Sequence, residues 1–255
     1  MTVPSESSHV EGRVIRNGHV ERVDPETAPR GVMAVHLARY TFSVPYAAGR
    51  TVLDVACGAG YGTALLSESA RWAVGVDLSE EAVRYARARY PRNNAAFFVG
   101  DAQRLPFMDA AFETVVSFET IEHLSRIPEY LEEVRRVLRP GGVFVVSTPK
   151  ARQTTLRPAN PHHTIEYAAR DFRRLLERHF RFIELYSQIR VEATIVRWMK
   201  RMDRLGVRRW LPRGLRRSVH GAFGSRPFEE MDASDQKIVP GELRHAEYMV
   251  AVCTK

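Results

Sequence analysis

The segment F-E-T-I-E-H-L, residues 118–124, brings Glu119, Glu122 and His123 close together along the chain. Two carboxylates and an imidazole three and four positions apart can share one face of a turn or short helix. Such a group can bind a divalent ion through its oxygens and ring nitrogen, or it can position a base. Further along, H-H-T-I-E-Y supplies His162, His163 and Glu166. Without a metal, His123 is the best general base of the set, with Glu122 orienting or neutralising it. The structural alternative is that these residues cap the loop before the next helix.

A second constellation lies upstream in T-V-L-D-V-A-C-G-A-G-Y-G, residues 51–62. Glycines at 58 and 60 let backbone approach a ligand closely, and a helix N-terminus behind them offers N–H groups. The spacing departs from the dinucleotide fingerprint, because glycine falls at 58, 60 and 62, with Ala56 and Cys57 ahead of them. Asp54 sits within an apolar strand, where burial is costly without partners. It is expected to order the glycine loop through N–H groups or to meet a cationic ligand group. Asp77 can accept two hydrogen bonds from a ribose diol, or serve as a helix cap in competition with Ser79. Asp101, with Ala102 and Gln103, can receive a base amino group or be an ordinary loop residue.

The elements that must position these groups follow from pattern. Thr51 to Val55, the run ending in Asp77, Ala95 to Val99, Phe112 to Phe118 and Val143 to Ser147 read as strands. Helices are expected over Gly31 to Phe42, Tyr61 to Ser69, from Ser79 to Tyr90, Ile127 to Leu138 and Ala168 to Glu177, with R-P-G-G stopping the fourth. A strand is expected over Phe180 to Ser187 and another over Glu247 to Cys253. Alternation at this spacing predicts an α/β fold with a parallel sheet covered on both faces. Both acidic and histidine loops should then rise from one side of the sheet.

At 255 residues the chain can bury one substantial core with an added lobe. Residues 1–30 are polar, broken by prolines, and expected to be mobile or to wrap the surface; residues 31–255 form the main domain. Residues 190–240 read as a helical, basic acceptor-side insertion or lid: residues 192–206 carry a helical stripe, either packed on the domain or acting as a lid or membrane-surface helix, and residues 211–230 read as irregular. Cys57 and Cys253 cannot make a disulfide framework or a cysteine-based zinc site and are expected to be reduced. No apolar run approaches a bilayer span and the N-terminus lacks a signal-peptide core, so a cytoplasmic protein is expected. The net charge of +8 raises affinity for any anion. There is, however, no recognisable RNA-binding module and no repeat of basic and aromatic residues.

L-D-V-A-C-G-A-G-Y-G, G-V-D-L-S, G-D-A-Q-R-L-P-F and L-R-P-G-G-V-F-V-V-S-T-P together resemble a class I S-adenosylmethionine-dependent methyltransferase of the ubiquinone-biosynthesis-like group. Ala56 stands where that family usually has its first glycine. The resemblance covers roughly residues 32–182 and the last strand. It implies a Rossmann-like seven-stranded, mostly parallel sheet with helices on both faces and the last strand antiparallel. It also implies that Asp54 and the backbone from Ala56 through Cys57 and Gly58 to Gly60 hold the methionine part of S-adenosyl-L-methionine. Asp77 would bind the ribose, Leu78 would flank adenine, and Asp101 and Ala102 would bind the base. Phe118 would line the sulfonium, and Tyr40 on the preceding helix would cover the cofactor. The E-x-x-E-H run is further similar to metal-dependent small-RNA 2′-O-methyltransferases. That similarity implies Mg²⁺ or another divalent metal on Glu119, Glu122, His123 and His163.

The expected activity is methylation of a hydroxyl on a small-molecule acceptor, a sugar or phenolic natural product, with residues 192–230 shaping the pocket. RNA 2′-O-methylation, amino-sugar N-methylation and a non-catalytic cofactor-binding partner protein are the alternatives. The sequence leaves oligomeric state open, a homodimer included.

Overall fold

The computed structural model describes residue 23 and residues 25–191, 230–241, 243 and 246–255. Most of the N-terminal segment, the helical stripe expected from residue 192 and nearly all of the irregular stretch 211–230 lie outside the described residues.

In chain order the elements are α1 (Arg30–Ala47), β1 (Thr51–Val55), α2 (Tyr61–Ser67), β2 (Trp72–Asp77), α3 (Glu80–Arg89), β3 (Ala95–Val99) and β4 (Phe112–Phe118). They continue with α4 (Ile127–Val137), β5 (Leu138–Ala151), β6 (Tyr167–Ala168), α5 (Ala169–Glu177), β7 (Ile183–Arg190), β8 (Gln236–Pro240) and β9 (Tyr248–Thr254). Local chemistry sets several boundaries. The Ser79 hydroxyl accepts the Ala82 N–H at 3.3 Å, and Glu80 and Glu81 occupy the first turn of α3, where carboxylates favour the positive end of a helix.

Several boundaries differ from the sequence expectation. Helix α1 runs past Phe42 to Ala47 with Pro45 in its final turn, where the proline removes one i→i−4 hydrogen bond just before the helix ends. The R-P-G-G segment, expected as a turn, is already strand: Leu138 pairs with Phe112, and the register shifts before Thr114 meets Val143. Gly141, at φ 74°, supplies the left-handed residue of this irregularity. Strand β7 lies three residues later than Phe180 to Ser187. Strand β8, at the far end of the stretch assigned to a helical insertion, carries no sequence signal beyond Ile238 and Val239; pairing with β7 makes it a strand.

The sheet order is β3-β2-β1-β4-β5-β9-β7-β8, with β6 pairing the end of β5. Strands β1 to β5 are parallel neighbours, and β9 runs antiparallel between β5 and β7. Seven strands make the Rossmann-like core, and β8 and β6 extend it. Period-two alternation splits each central strand between two cores. Leu53, Val115 and Phe144 pack with α4 and α5 residues such as Leu131 and Leu176. Val52, Val116 and Val145 pack with Tyr40 and Ala47 of α1 and Leu66 of α2. Because both faces are covered, these strands are near-uniformly apolar. The order reverses direction between β1 and β4, which opens a crevice at their carboxyl ends.

Candidate functional site

A cavity of about 800 Å³ occupies this crevice. One end is walled by Ala56, Cys57 and Gly58 after β1, Asp77 and Leu78 after β2, and Asp101 and Ala102 after β3. The other end is walled by Glu119, Glu122 and His123 after β4 and by His163 from the loop beyond β5. The two loops do rise from the same side of the sheet.

Ala56, Gly58 and Gly60 have φ of 59°, 54° and 82°, so the turn curls through left-handed backbone at three positions. At Ala56 this carries a steric cost that a glycine would not have. Several of the turn's own N–H groups are used inside the protein: Cys57 donates to the Val76 carbonyl, Gly58 to Asp77 Oδ2 at 2.8 Å, and Gly60 to the Cys57 carbonyl. Gly60 does not line the cavity. A Cβ there would press on Ala86 and Phe97, so its role is packing of the turn against α3 and β3.

The two strand-end aspartates divide their work differently from the expectation. Asp77, rather than Asp54, orders the glycine loop, taking the Gly58 N–H on one oxygen and the Ser79 N–H on the other at 2.9 Å. A carboxylate has about four acceptor positions, so Asp77 keeps capacity for a diol in the cavity it lines. Asp54 is buried behind the turn and is not part of the wall. Its oxygens accept the Thr63 hydroxyl at 2.7 Å and the Tyr40 hydroxyl at 3.3 Å. Burial pushes its carboxyl up to about 7 despite these two donors, which favour the ionised form. Asp101 Oδ1 accepts the Gln103 N–H at 2.8 Å, an Asx-type turn that keeps the β3 loop closed.

Aromatic groups form the wall between the two ends. The Tyr40 ring meets Phe118 edge-on at 4.9 Å between centroids and Tyr61 at 5.8 Å. Val32 and His36 lie two turns and one turn, respectively, before Tyr40 on α1 and face the same cavity, a contribution the sequence reading missed. The i, i+4 spacing from Tyr40 was the available signal. His36 Nδ1 lies 3.1 Å from the Tyr61 hydroxyl, and burial together with the nearby Arg39 charge lowers its pKa to about 3, so this ring is neutral at ordinary pH.

At the opposite end, the loop after β5 is stitched to the segment after β4. The Thr155–Glu166 bridge closes the loop, and Thr164 donates its N–H to the Glu122 carbonyl at 2.7 Å. The His123 and His163 rings consequently meet edge-on at 4.9 Å. His123 Nδ1 lies 3.0 Å from the His162 carbonyl, which can only accept, so Nδ1 carries the proton and Nε2 the lone pair. His163 Nδ1 faces Glu166 Oε1 at 2.9 Å, and its Nε2 lies 3.0 Å from the Asn160 amide. His162, by contrast, contributes its carbonyl rather than its ring. Glu122 is fully buried, with Oε2 accepting from Thr148 and Oε1 lacking a partner among the described residues. Burial, then the charge of Glu119, hold its carboxyl well above the usual range.

Of the four residues expected to hold a metal, three come together. Ligand atoms of Glu122, His123 and His163 lie within 4.8 Å of one another. Glu119 lies outside this group, with Oε1 accepting from Ser147 at 2.7 Å and facing Arg39 Nη1 at 3.4 Å. Arg39, Asn160 and Tyr248 all border this region without any motif to announce them.

Residues 53–146 match the family model for a methyltransferase domain. That stretch is similar to a methyltransferase domain, and it spans the glycine turn, Asp77 and the Glu122–His123 segment. Over 136 residues the chain is 45% identical to a protein of Mycolicibacterium smegmatis described as a probable S-adenosylmethionine-dependent methyltransferase, covering 51% of each chain. It is 39% identical over 106 residues to a fatty-acid O-methyltransferase of the same organism, covering 41% of this chain and 39% of that protein. The chain thus spans about half the length, or less, of these curated relatives. A solved S-adenosylmethionine-dependent methyltransferase from Mesorhizobium loti superposes with a TM-score of 0.58, covering 88% of this chain and all of that one at 16% identity, which shows the shared fold.

Proposed function

We propose that this protein methylates an oxygen of a small molecule, with a hydroxyl as the preferred acceptor. The observation that carries the proposal is one continuous cavity joining the glycine turn and Asp77 to the Glu122, His123 and His163 group. The residues fit S-adenosylmethionine in two respects. The left-handed turn leaves Ala56 and Gly58 in the wall, and Asp77 retains acceptor capacity beside them. When bound, that cofactor supplies an electrophilic methyl group.

The remaining steps fall to this chain. Leu78, Asp101 and Ala102 would flank the base, and Tyr40 and Phe118 would exclude water from the middle of the cavity. His123, with Nδ1–H fixed on the His162 carbonyl, presents Nε2 as the proton acceptor. The acceptor oxygen gains the methyl as its proton passes to that nitrogen. Glu122, whose carboxyl burial holds well above its usual range, contributes a hydrogen-bonding group, and positioning in the enclosed site supplies much of the rate. The name of the O-methylating relative supports oxygen over nitrogen and suggests fatty or lipid acceptors beside sugars and phenols.

A second reading is favoured by the convergence of Glu122, His123 and His163, which could hold a divalent ion beside the acceptor. Both are tested by methyl transfer from labelled S-adenosylmethionine to a panel of phenols, glycosides, amino sugars, fatty and hydroxylated lipids and short RNAs, each with chelator, Mg²⁺ or Mn²⁺. Turnover of a hydroxyl or carboxyl acceptor that survives chelator and falls in His123→Ala supports the first reading. Loss of turnover in chelator supports the second. Transfer to RNA or to an amine alone, or cofactor binding with no transfer, overturns both.

A further inference from the structure

Arg39 is a fully buried cation at the junction of four parts of the chain. It rises from α1 next to Tyr40, donates Nε–H to Gln188 Oε1 of β7 at 2.7 Å, and lies 4.4 Å from the centre of the Tyr248 ring of β9. Gln188 is itself fixed, donating its amide to the Val35 carbonyl at 2.9 Å. The carboxylate facing Arg39 belongs to Glu119, which ends β4. Beyond that ion pair, neither Nη1 nor Nη2 has a hydrogen-bond partner among the described residues.

Glu119 is held in this direction by its own backbone. Its φ of 50° places a non-glycine residue in left-handed conformation, and its N–H points at Ser147, 3.3 Å from both the carbonyl and the hydroxyl oxygen. The same Ser147 hydroxyl donates to Oε1. An uncommon backbone conformation over-determined by its neighbours is characteristic of functional sites. Here it aims the carboxylate at Arg39, and Glu119 stays outside the Glu122, His123 and His163 group.

We propose that Arg39 is the resident cation of the acidic end of the cavity, keeping Glu119 out of any metal shell and clamping α1 to the end of β4. A buried charge is tolerated only with a counter-charge, and Glu119 is the carboxylate that supplies it. A divalent ion on Glu119 would face the guanidinium at short range, where low dielectric makes like charges repel strongly. The clamp also has a location that matters. Tyr40 and Phe118, the immediate neighbours of Arg39 and Glu119 in sequence, are the rings that touch across the middle of the cavity. Arg39 is therefore a positioning residue.

The test is Mn²⁺ binding to the full chain, followed by electron paramagnetic resonance, which needs neither turnover nor a known acceptor. Its outcome is thus separable from that of the methyl-transfer panel. Glu119→Gln is expected to bind Mn²⁺ within twofold of the unaltered protein. Arg39→Met, which removes the charge while keeping most of the volume, is expected to bind at least tenfold more tightly, and Arg39→Met/Glu119→Gln to lose that gain. Arg39→Lys, which keeps the charge, is expected to match the unaltered protein; this separates a charge effect from general loosening. A tenfold loss of Mn²⁺ affinity in Glu119→Gln alone overturns the proposal, because it would make Glu119 a ligand. So does an Arg39→Met protein that folds but gains nothing. Should Arg39→Met fail to fold, Glu119→Gln and Arg39→Lys still decide between these outcomes.

Discussion

The Tyr40 ring lies over Gly62 so closely that a Cβ on Gly62 would overlap it. This contact lets α1 settle on α2, and it holds the Tyr40 hydroxyl at Asp54 and the Tyr40 ring against Phe118. Gly62→Ala is expected to destabilise the protein by about 1–3 kcal/mol through overpacking. It should also displace Tyr40 from the cavity wall. Urea unfolding measures the first effect and calorimetric titration of S-adenosylmethionine the second. A variant as stable and as tight-binding as the unaltered protein would show that Tyr40 does not cover the cofactor.

Ala56 leads to the opposite sign. A left-handed alanine costs roughly 1–2 kcal/mol, whereas glycine adopts that conformation freely but gives up roughly 0.5–1 kcal/mol in unfolded-chain entropy. Ala56→Gly should therefore stabilise the protein slightly, by up to about 1 kcal/mol. The measure is the urea midpoint at constant slope. A lower midpoint would mean that the Ala56 methyl makes contacts whose loss outweighs the relief.

Asp54 predicts a pH dependence. Its carboxyl titrates near 7 in the folded protein because burial disfavours the charge, against about 3.9 for an unperturbed aspartate. The folded state thus binds this proton more tightly than the unfolded chain. The associated stability is fully present below the unfolded value and is lost as pH rises through the folded one. The gap corresponds to roughly 4 kcal/mol lost between about pH 4 and pH 7. Asp54→Asn should lack this component, so the difference between the two proteins' unfolding free energies should slope across that window. Parallel curves would exclude the buried, proton-binding carboxyl.

Glu122 and His123 separate by chemistry. Burial holds the Glu122 carboxyl well above its usual range, so Glu122→Gln, which keeps the shape of the neutral form, is expected to lower kcat by less than about tenfold. His123→Ala should lower kcat by about 10²–10⁴-fold, the usual contribution of a general base, with cofactor affinity unchanged. Equal losses in both variants would instead point to an ionised Glu122 and to the divalent-ion reading.

Strand positions were legible in the sequence because each core strand is an apolar run bounded by glycine, proline or charge. Thr51 to Val55, Ala95 to Val99 and Phe112 to Phe118 fall where those runs do. The glycine turn, Asp77 and the Ser79 cap were legible for the same reason: each depends on neighbours within a few residues. The positions of β6 and β8 were not, since short edge strands are made by their partners.

The sequence by itself determined the α/β order and the class of cofactor, along with the side of the sheet on which chemistry gathers. Only the tertiary structure decided which acidic residues work together. Asp54 was drawn behind the turn by Thr63 and Tyr40, and Glu119 was claimed by Arg39, eighty positions earlier in the chain. His163 reached His123 through a loop stitched by Thr164. Short spacing limits where a carboxylate can lie, but its partner is set by whichever buried charge or donor the folded sheet brings to it, because a buried carboxylate must be paired or protonated.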